Sequence, residues 1–221
     1  MVRLQSLNQF ELSDSGLFRV IAQEIERVEL PNSGLEYRNP EQTTGDMNIV
    51  TLSMYQTSVE VFVPFLGNLS KLLDHAAAYA EARKIDPSVL LKMRLAPTMY
   101  NVIQQVGEAN RHAVTASALL AGQSALGFPN GEPDIAELKS RIASAIDFIE
   151  SLPREAIDAA AERDVAFTFK NGTQRTFTGR MLLLTFSLPQ FFFHVTTAYD
   201  ILRHAGVDLA KKDFLGPPRS N

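Results

Sequence analysis

At 221 residues the chain is long enough for one domain with a full hydrophobic core plus appendages. A formal net charge of −4, with no cluster of Lys or Arg, excludes a nucleic-acid-binding face, because phosphate neutralisation needs one. The absence of cysteine excludes disulfides, thiolate metal sites and a cysteine nucleophile, and fits a reducing, cytoplasmic setting.

Residues 1–46 differ from the rest. Leu17, Phe18, Ile21, Ile25 and Val28 recur at helical spacing behind Ser13 and Asp14, which predicts a short amphipathic helix over 15–29. A Pro-, Gly- and Asn-rich linker follows. This extension reads as a docking helix on a tether, as a disordered tail, or as translated upstream sequence ahead of a start at Met47, and the last two together are preferred. It carries no signal-peptide core. Glu24, Glu26 and Glu29 on the helix argue against a membrane-surface role.

The first main helix is predicted over 51–84, with Met54, Ser58, Val61, Phe65, Leu69, Leu72 and Ala76 as its packed stripe and Pro64 as a kink. His75, beside Asp74, reads as an exposed residue near its C-terminal end. Asp86 and Pro87 open a short helix to about Met93, as N-cap and first helical residue. Pro97 then leads into a second main helix over 98–121, with Met99, Val102, Val106, Ala109 and Ala113 facing inward. His112 lies on it, and Glu108, four residues earlier, is expected to orient the imidazole.

Asp134 caps a third helix over 135–152, with Leu138, Ile142, Ala145, Ile146 and Ile149 buried, which Pro153 ends. A brief helix to Glu162 is expected after it. From Val165 to Thr178 the period becomes alternating, and Asn171-Gly172 marks a hairpin turn. A two-residue turn would pair Phe177 with Ala166 and face it away from Val165 and Phe167. Either a bulge shifts the register or Phe177 already leads into the next helix.

The last helix, predicted over 181–206, is the most apolar stretch. Leu183, Phe186, Phe193 and Ile201 call for several helices around it, and Pro189 predicts a second kink at the carbonyl of Thr185. Thr185, Ser187, Pro189, Gln190 and His194 interrupt it, so it reads as a core helix rather than a lipid-facing span. Beyond Gly206 a mostly extended tail is expected, with Phe214 and Leu215 tucked back and 217–221 released to solvent.

His112 and His194 are the candidate metal ligands, because each sits mid-helix in apolar surroundings where an unpaired imidazole is costly to bury. The ordinary alternative for each is a satisfied core histidine. Two ligands do not make a site. His204 lies roughly 15 Å further along the axis and about 80° around it from His194, too far to share an ion. A third ligand must come from Glu108, from the first helix or from a loop. Tyr199 and His204 join Glu108 as expected pocket residues. No phosphate loop, dinucleotide fingerprint or Ser nucleophile motif occurs.

SMYQTSV at 53–59, LAPTMY at 95–100, FTG at 177–179 and FFFHVTTAYDILRHAGVDLAKKDFLG at 191–216 resemble a bacterial domain-of-unknown-function family, number nineteen-ninety-three of its series, within the DinB/YfiT-like superfamily. The resemblance covers about 47–216. It implies an all-α, up-down-down-up four-helix bundle with a small β-hairpin before the last helix, often dimeric. Better-known relatives hold a divalent metal with one histidine on the second helix and an H-x-x-x-H pair on the last. His112 matches the first and His194 the start of the pair, while Ala198 stands where the second would be. The expectation is therefore a homodimeric bundle protein with an inter-helix pocket for an unknown small molecule. The alternative is a nickel, zinc or iron enzyme of hydrolase or thiol-transferase type using His112 and His194.

Overall fold

Each of the long helices begins where the sequence supplies a side chain to cap it. The computed structural model describes residues 52–128, 131 and 133–218; the expectations for 1–46 and for the last three residues of the tail lie outside these. Helix α1 (Met54–Arg83) starts with a reciprocal cap, in which Ser53 Oγ accepts from Gln56 N–H and Gln56 Oε1 accepts from Ser53 N–H. It runs unbroken through Pro64. Its buried stripe is Met54, Ser58, Phe62, Leu66, Leu69, Leu73, Ala76 and Ala80. Val61 and Phe65, expected on that stripe, are only half-buried. Phe62 instead faces the core and meets Phe191 edge-on at 4.9 Å, while Phe65 turns to the flank against Phe192 and Phe214.

Short helix α2 (Pro87–Lys92) is capped by Asp86, whose carboxylate accepts from Ser88 N–H at 2.8 Å. Helix α3 (Val102–Ala121) begins four residues later than the sequence pattern suggested. The reason is a second reciprocal cap: Asn101 Oδ1 accepts from Gln104 N–H and Gln104 Oε1 from Asn101 N–H, both at 3.0 Å. Met99 therefore sits in the preceding turn and not on the inner face. Helix α4 (Ile135–Glu150) buries Ile135, Leu138, Ile142, Ala145 and Ile149 behind the Asp134 cap, with Ile146 half-buried, and α5 (Arg154–Asp158) follows Pro153.

Strands β1 (Asp164–Thr168) and β2 (Gln174–Thr178) form an antiparallel hairpin with Val165 opposite Phe177 and Phe167 opposite Arg175. Phe169 N–H donates to Thr173 C=O, leaving three residues at the tip, with Gly172 at φ 82°. That is a three-residue loop with glycine in the left-handed region, not a two-residue turn, and it moves the pairing by one residue. Phe177 consequently shares a face with Val165 and Phe167. Those residues, with Leu119, Leu182 and Phe186, form an apolar cluster beside the main core.

The last long helix, α6, runs Gly179–His204. Pro189 lacks an N–H and crowds the carbonyl of Thr185. The disturbance is taken up as a π-helical segment, Leu182–Ser187, closed by Leu188 N–H donating to Leu183 C=O, between α-helical stretches Gly179–Met181 and Leu188–His204. Among the described residues α6 alone is long and apolar enough to cross a membrane. Its Leu183, Phe191, Val195, Ala198 and Leu202 are nevertheless buried in the protein core. Phe193, expected to be buried, is 54% exposed.

Helix α6 packs along α3, α1 along α4, and α3 against α4, with lesser contacts from α1 to α3 and α6. The chain is thus mostly helical, with a small two-stranded hairpin before its last long helix. The tail is not mostly extended: it forms α7 (Lys211–Leu215), which lies on α1 with Asn68 Nδ2 donating to Phe214 C=O and Val207 and Leu209 buried.

Candidate functional site

Helices α3 and α6 bring the two predicted histidines face to face. The rings of His112 and His194 stack with centroids 5.6 Å apart and planes 17° from parallel, and both residues are buried, at 3% and 7% exposure. The π-helical segment just ahead of His194 adds a residue to the turn, which rotates the preceding part of α6 by roughly 100° relative to an unbroken helix. Phe186, inside that segment, meets His112 at 5.7 Å. It also meets Phe167 and Phe169 of the hairpin at 4.9 and 5.7 Å. One side chain thus joins the imidazoles to the hairpin.

The hydrogen bonds assign the proton on His194. Gln105 lies two turns before His112 on α3, so it shares the inner face. Its Nε2 donates to the Tyr100 carbonyl at 3.2 Å, which turns Oε1 toward His194 Nδ1 at 2.7 Å. An amide oxygen only accepts, so Nδ1 carries the proton and Nε2 keeps a free lone pair. For His112 the neighbour is Arg111, whose Nη2 lies 3.1 Å from Nε2. A guanidinium only donates, so that lone pair is occupied and Nδ1 carries the proton. Nδ1 is buried and has no hydrogen-bond partner among the described residues. Buried polar atoms without a partner are uncommon in a folded interior.

Glu108 does not orient His112 as its spacing suggested. Its Oε2 accepts from Arg111 Nε at 2.9 Å and Nη2 at 2.7 Å, and its Oε1 accepts from Lys170 at the hairpin tip. Arg111, three residues along the same helix, reaches both the carboxylate and the ring and so stands between them. Burial alone would raise the Glu108 pKa, but the hydrogen bonds from Lys170 and Arg111 outweigh it and hold the carboxyl below its usual range. Burial, reinforced by Arg111 and His194, pushes His112 from 6.5 down to about 3. His194 is lowered by burial as well; Glu108 opposes the change, and Arg111 and Lys170 add to it. Both imidazoles are therefore neutral at pH 7, the form that ligates metals.

Above the rings opens a cavity of about 430 Å³, walled by Tyr100, Phe167, Phe169 and Phe186 and carrying Glu108, Arg111 and Lys170 at its polar side. Tyr199 and His204, expected in the pocket, are elsewhere. Tyr199 is five residues past His194 and so points to another face, where its ring packs on Phe214 at 5.8 Å. His204 is exposed in the last turn of α6. His75 is exposed too, and its neighbour Asp74 pairs with Lys139.

Glu108, His112 and His194 offer ligand atoms that all lie within 4.8 Å of one another. Metal bonds of about 2.1 Å place the ligands of one tetrahedral ion about 3.4 Å apart. The three groups fit a divalent cation after a modest inward movement and withdrawal of Arg111 from His112. Two neutral imidazoles with one carboxylate is a donor set of zinc and non-haem iron sites. Ala198, where relatives are expected to supply a further histidine, is fully buried beside this site on α6.

No curated protein matches the chain. The crystal structure of a DinB family member from Shewanella denitrificans, at 1.83 Å resolution, is similar with a TM-score of 0.70 and 36% sequence identity, over 76% of this chain and 94% of that one. The family model described as Domain of unknown function (DUF1993) matches residues 54–215, from the first residue of α1 to the last of α7. The chain therefore belongs to the DUF1993 family, and it shares its architecture with a DinB family member.

Proposed function

We propose that the chain forms an up-down-down-up four-helix bundle of DinB type, a cytoplasmic homodimer, whose inter-helix pocket binds a small molecule over a divalent cation held by Glu108, His112 and His194. The observation that carries this reading is the convergence of two neutral imidazoles and a carboxylate beneath a preformed cavity. Gln105 fixes the His194 tautomer so that Nε2 presents its lone pair, the arrangement by which an outer-shell group tunes a ligand. Phe167, Phe169 and Phe186 form an apolar opposite wall. Held by these three residues, a divalent cation would supply Lewis acidity at the floor of the pocket. Such chemistry would serve a second reading, an enzyme of the hydrolase or thiol-transferase type.

Elemental analysis of protein purified without a histidine tag tests the metal. Nickel, zinc or iron near one equivalent per chain, lost in His112→Ala, is the expected result. Substoichiometric metal that His112→Ala leaves unchanged overturns the cation site and leaves a metal-free pocket protein.

A further inference from the structure

The polar side of the pocket holds more positive than negative charge. Of the described residues lining it, Glu108 is the only anion, against Arg111 and Lys170. The sum is positive whatever the protonation of the imidazoles, and a bound cation would raise it further. We propose that the pocket takes a small organic acid with an apolar, ring-sized body, its carboxylate received by Arg111 and Lys170 and its body lying against Phe167, Phe169 and Phe186. The inference rests on reading this cavity as a ligand pocket and stands with or without the metal.

The donors are in place. Arg111 spends Nε and Nη2 on Glu108, which leaves Nη1 free of any hydrogen bond to it, and the Lys170 ammonium has three donors of which Glu108 takes one. At 32% side-chain exposure Arg111 is partly sheltered from water, where a charge-assisted bond is screened less than on open surface, and Lys170, at 58%, stands further out at the mouth. Lys170 also lies over the Tyr100 ring at 5.7 Å, which places its ammonium at the cavity mouth. The opposite wall consists of aromatic edges and faces packed on one another, with Phe167 and Phe169 at 5.1 Å. A wall of that kind offers a carboxylate nothing and an apolar body a great deal. Cationic rim and aromatic wall together select an amphiphilic acid, and about 430 Å³ falls in the range of small-molecule sites, roughly 300–1,000 Å³.

The test uses the full chain and 3-phenylpropionate as probe, with 3-phenylpropanamide as its neutral isostere and inorganic phosphate as a bare anion. Calorimetric titrations are run after chelator treatment and again after zinc loading, with metal content measured on the same samples. The acid is expected to bind at least tenfold more tightly than the amide and than phosphate. Lys170→Met, on an exposed loop, is expected to weaken the acid roughly fivefold to tenfold and leave the amide unchanged. Equal affinities for acid and amide, or an unaltered acid affinity in Lys170→Met, would overturn the inference while the pocket stands. Phosphate binding as tight as the acid would assign the cations to a bare anion and overturn it as well. If neither organic probe binds, the ligand-pocket reading fails and the inference fails with it.

Discussion

His112 stays neutral because burial, first, and the Arg111 guanidinium, second, oppose a positive ring. An unfolded imidazole titrates near 6.5, so between that value and about 3 the unfolded chain binds a proton that the folded chain refuses. The contribution of this ring to stability is therefore whole above pH 6.5 and is lost as pH falls toward 3. At about 1.4 kcal/mol per pKa unit the loss is on the order of a few kcal/mol. Urea denaturation of chelator-treated protein at several pH values should show the wild-type midpoint falling on acidification and His112→Leu falling less steeply. His194 shifts in the same direction and keeps part of the slope. Gln105 sets a second expectation. Gln105→Leu removes the acceptor that holds His194 Nδ1–H and should weaken zinc binding about 10–100-fold by calorimetry, whereas an unchanged affinity would dismiss its orienting role. Both histidines were legible in the sequence, as polar rings on apolar stretches, and Gln105 was within reach as a polar residue on the inner stripe of Val102, Val106 and Ala109. Arg111 was visible only as the i+3 partner of Glu108. Lys170 was not, since nothing local says that a hairpin tip will land on a carboxylate 62 residues earlier.

At the level of elements, the site depends on how α6 is launched from the hairpin. Gly179 N–H donates to Arg163 C=O and Arg180 N–H to Ala161 C=O, both at 2.9 Å, so the first turn of α6 lies flush against the segment after α5. A Cβ on Gly179 would overlap the Ala160 carbonyl oxygen, with its carbon at 2.9 Å and Leu120 Cδ2 at 3.0 Å. The two Ala160 atoms are backbone in a packed joint and cannot swing aside. Gly179→Ala should cost about 3 kcal/mol, the upper part of the overpacking range. For a chain of this size that is roughly 6–12 °C in Tm. Gly67, mid-helix in α1 with nothing among the described residues within 4 Å of its would-be Cβ, is the contrast, and Gly67→Ala should hold or raise Tm by thermal denaturation. A Gly179→Ala protein melting with wild type would contradict the joint. The helix caps at Ser53, Asp86 and Asp134 were readable because capping is chemistry between neighbours. The start of α3 was misplaced because Pro97 is a plausible first helical residue, yet Asn101 and Gln104 together satisfy more backbone donors. The hairpin register depended on whether Gly172 closed a two- or a three-residue tip, a choice between local conformations that an Asn-Gly pair leaves open. At Pro189 the sequence predicts a kink, and the structure has a π-helical segment ahead of it; neighbouring helices decide between a bend and a widened turn.

For the whole molecule, the order of elements was readable from apolar periodicity, because burial of that much surface leaves few arrangements. The last long helix, read as central, packs chiefly on α3, and α3 in turn meets α1, α4 and α6. What periodicity cannot divide is the surface turned toward the chain's own core from the surface turned toward a second copy. Both are apolar. Phe193 was read as core on that ground and is 54% exposed, with Leu184 at 47% and Met181 at 48% on the same helix. Single exposed apolar residues are ordinary, but three large ones on the most apolar helix leave considerable surface for burial between subunits. A homodimer proposed on that surface would cover them at the cost of no buried charge from these three positions. Sedimentation equilibrium should then give twice the 24.5 kDa chain mass at micromolar concentration. Leu184→Glu or Phe193→Glu places a carboxylate in the seam, where leaving it unpaired costs several kcal/mol, and should return the monomer with far-UV circular dichroism intact. A wild-type chain that sediments as a monomer at every concentration would instead mean that these side chains simply face water.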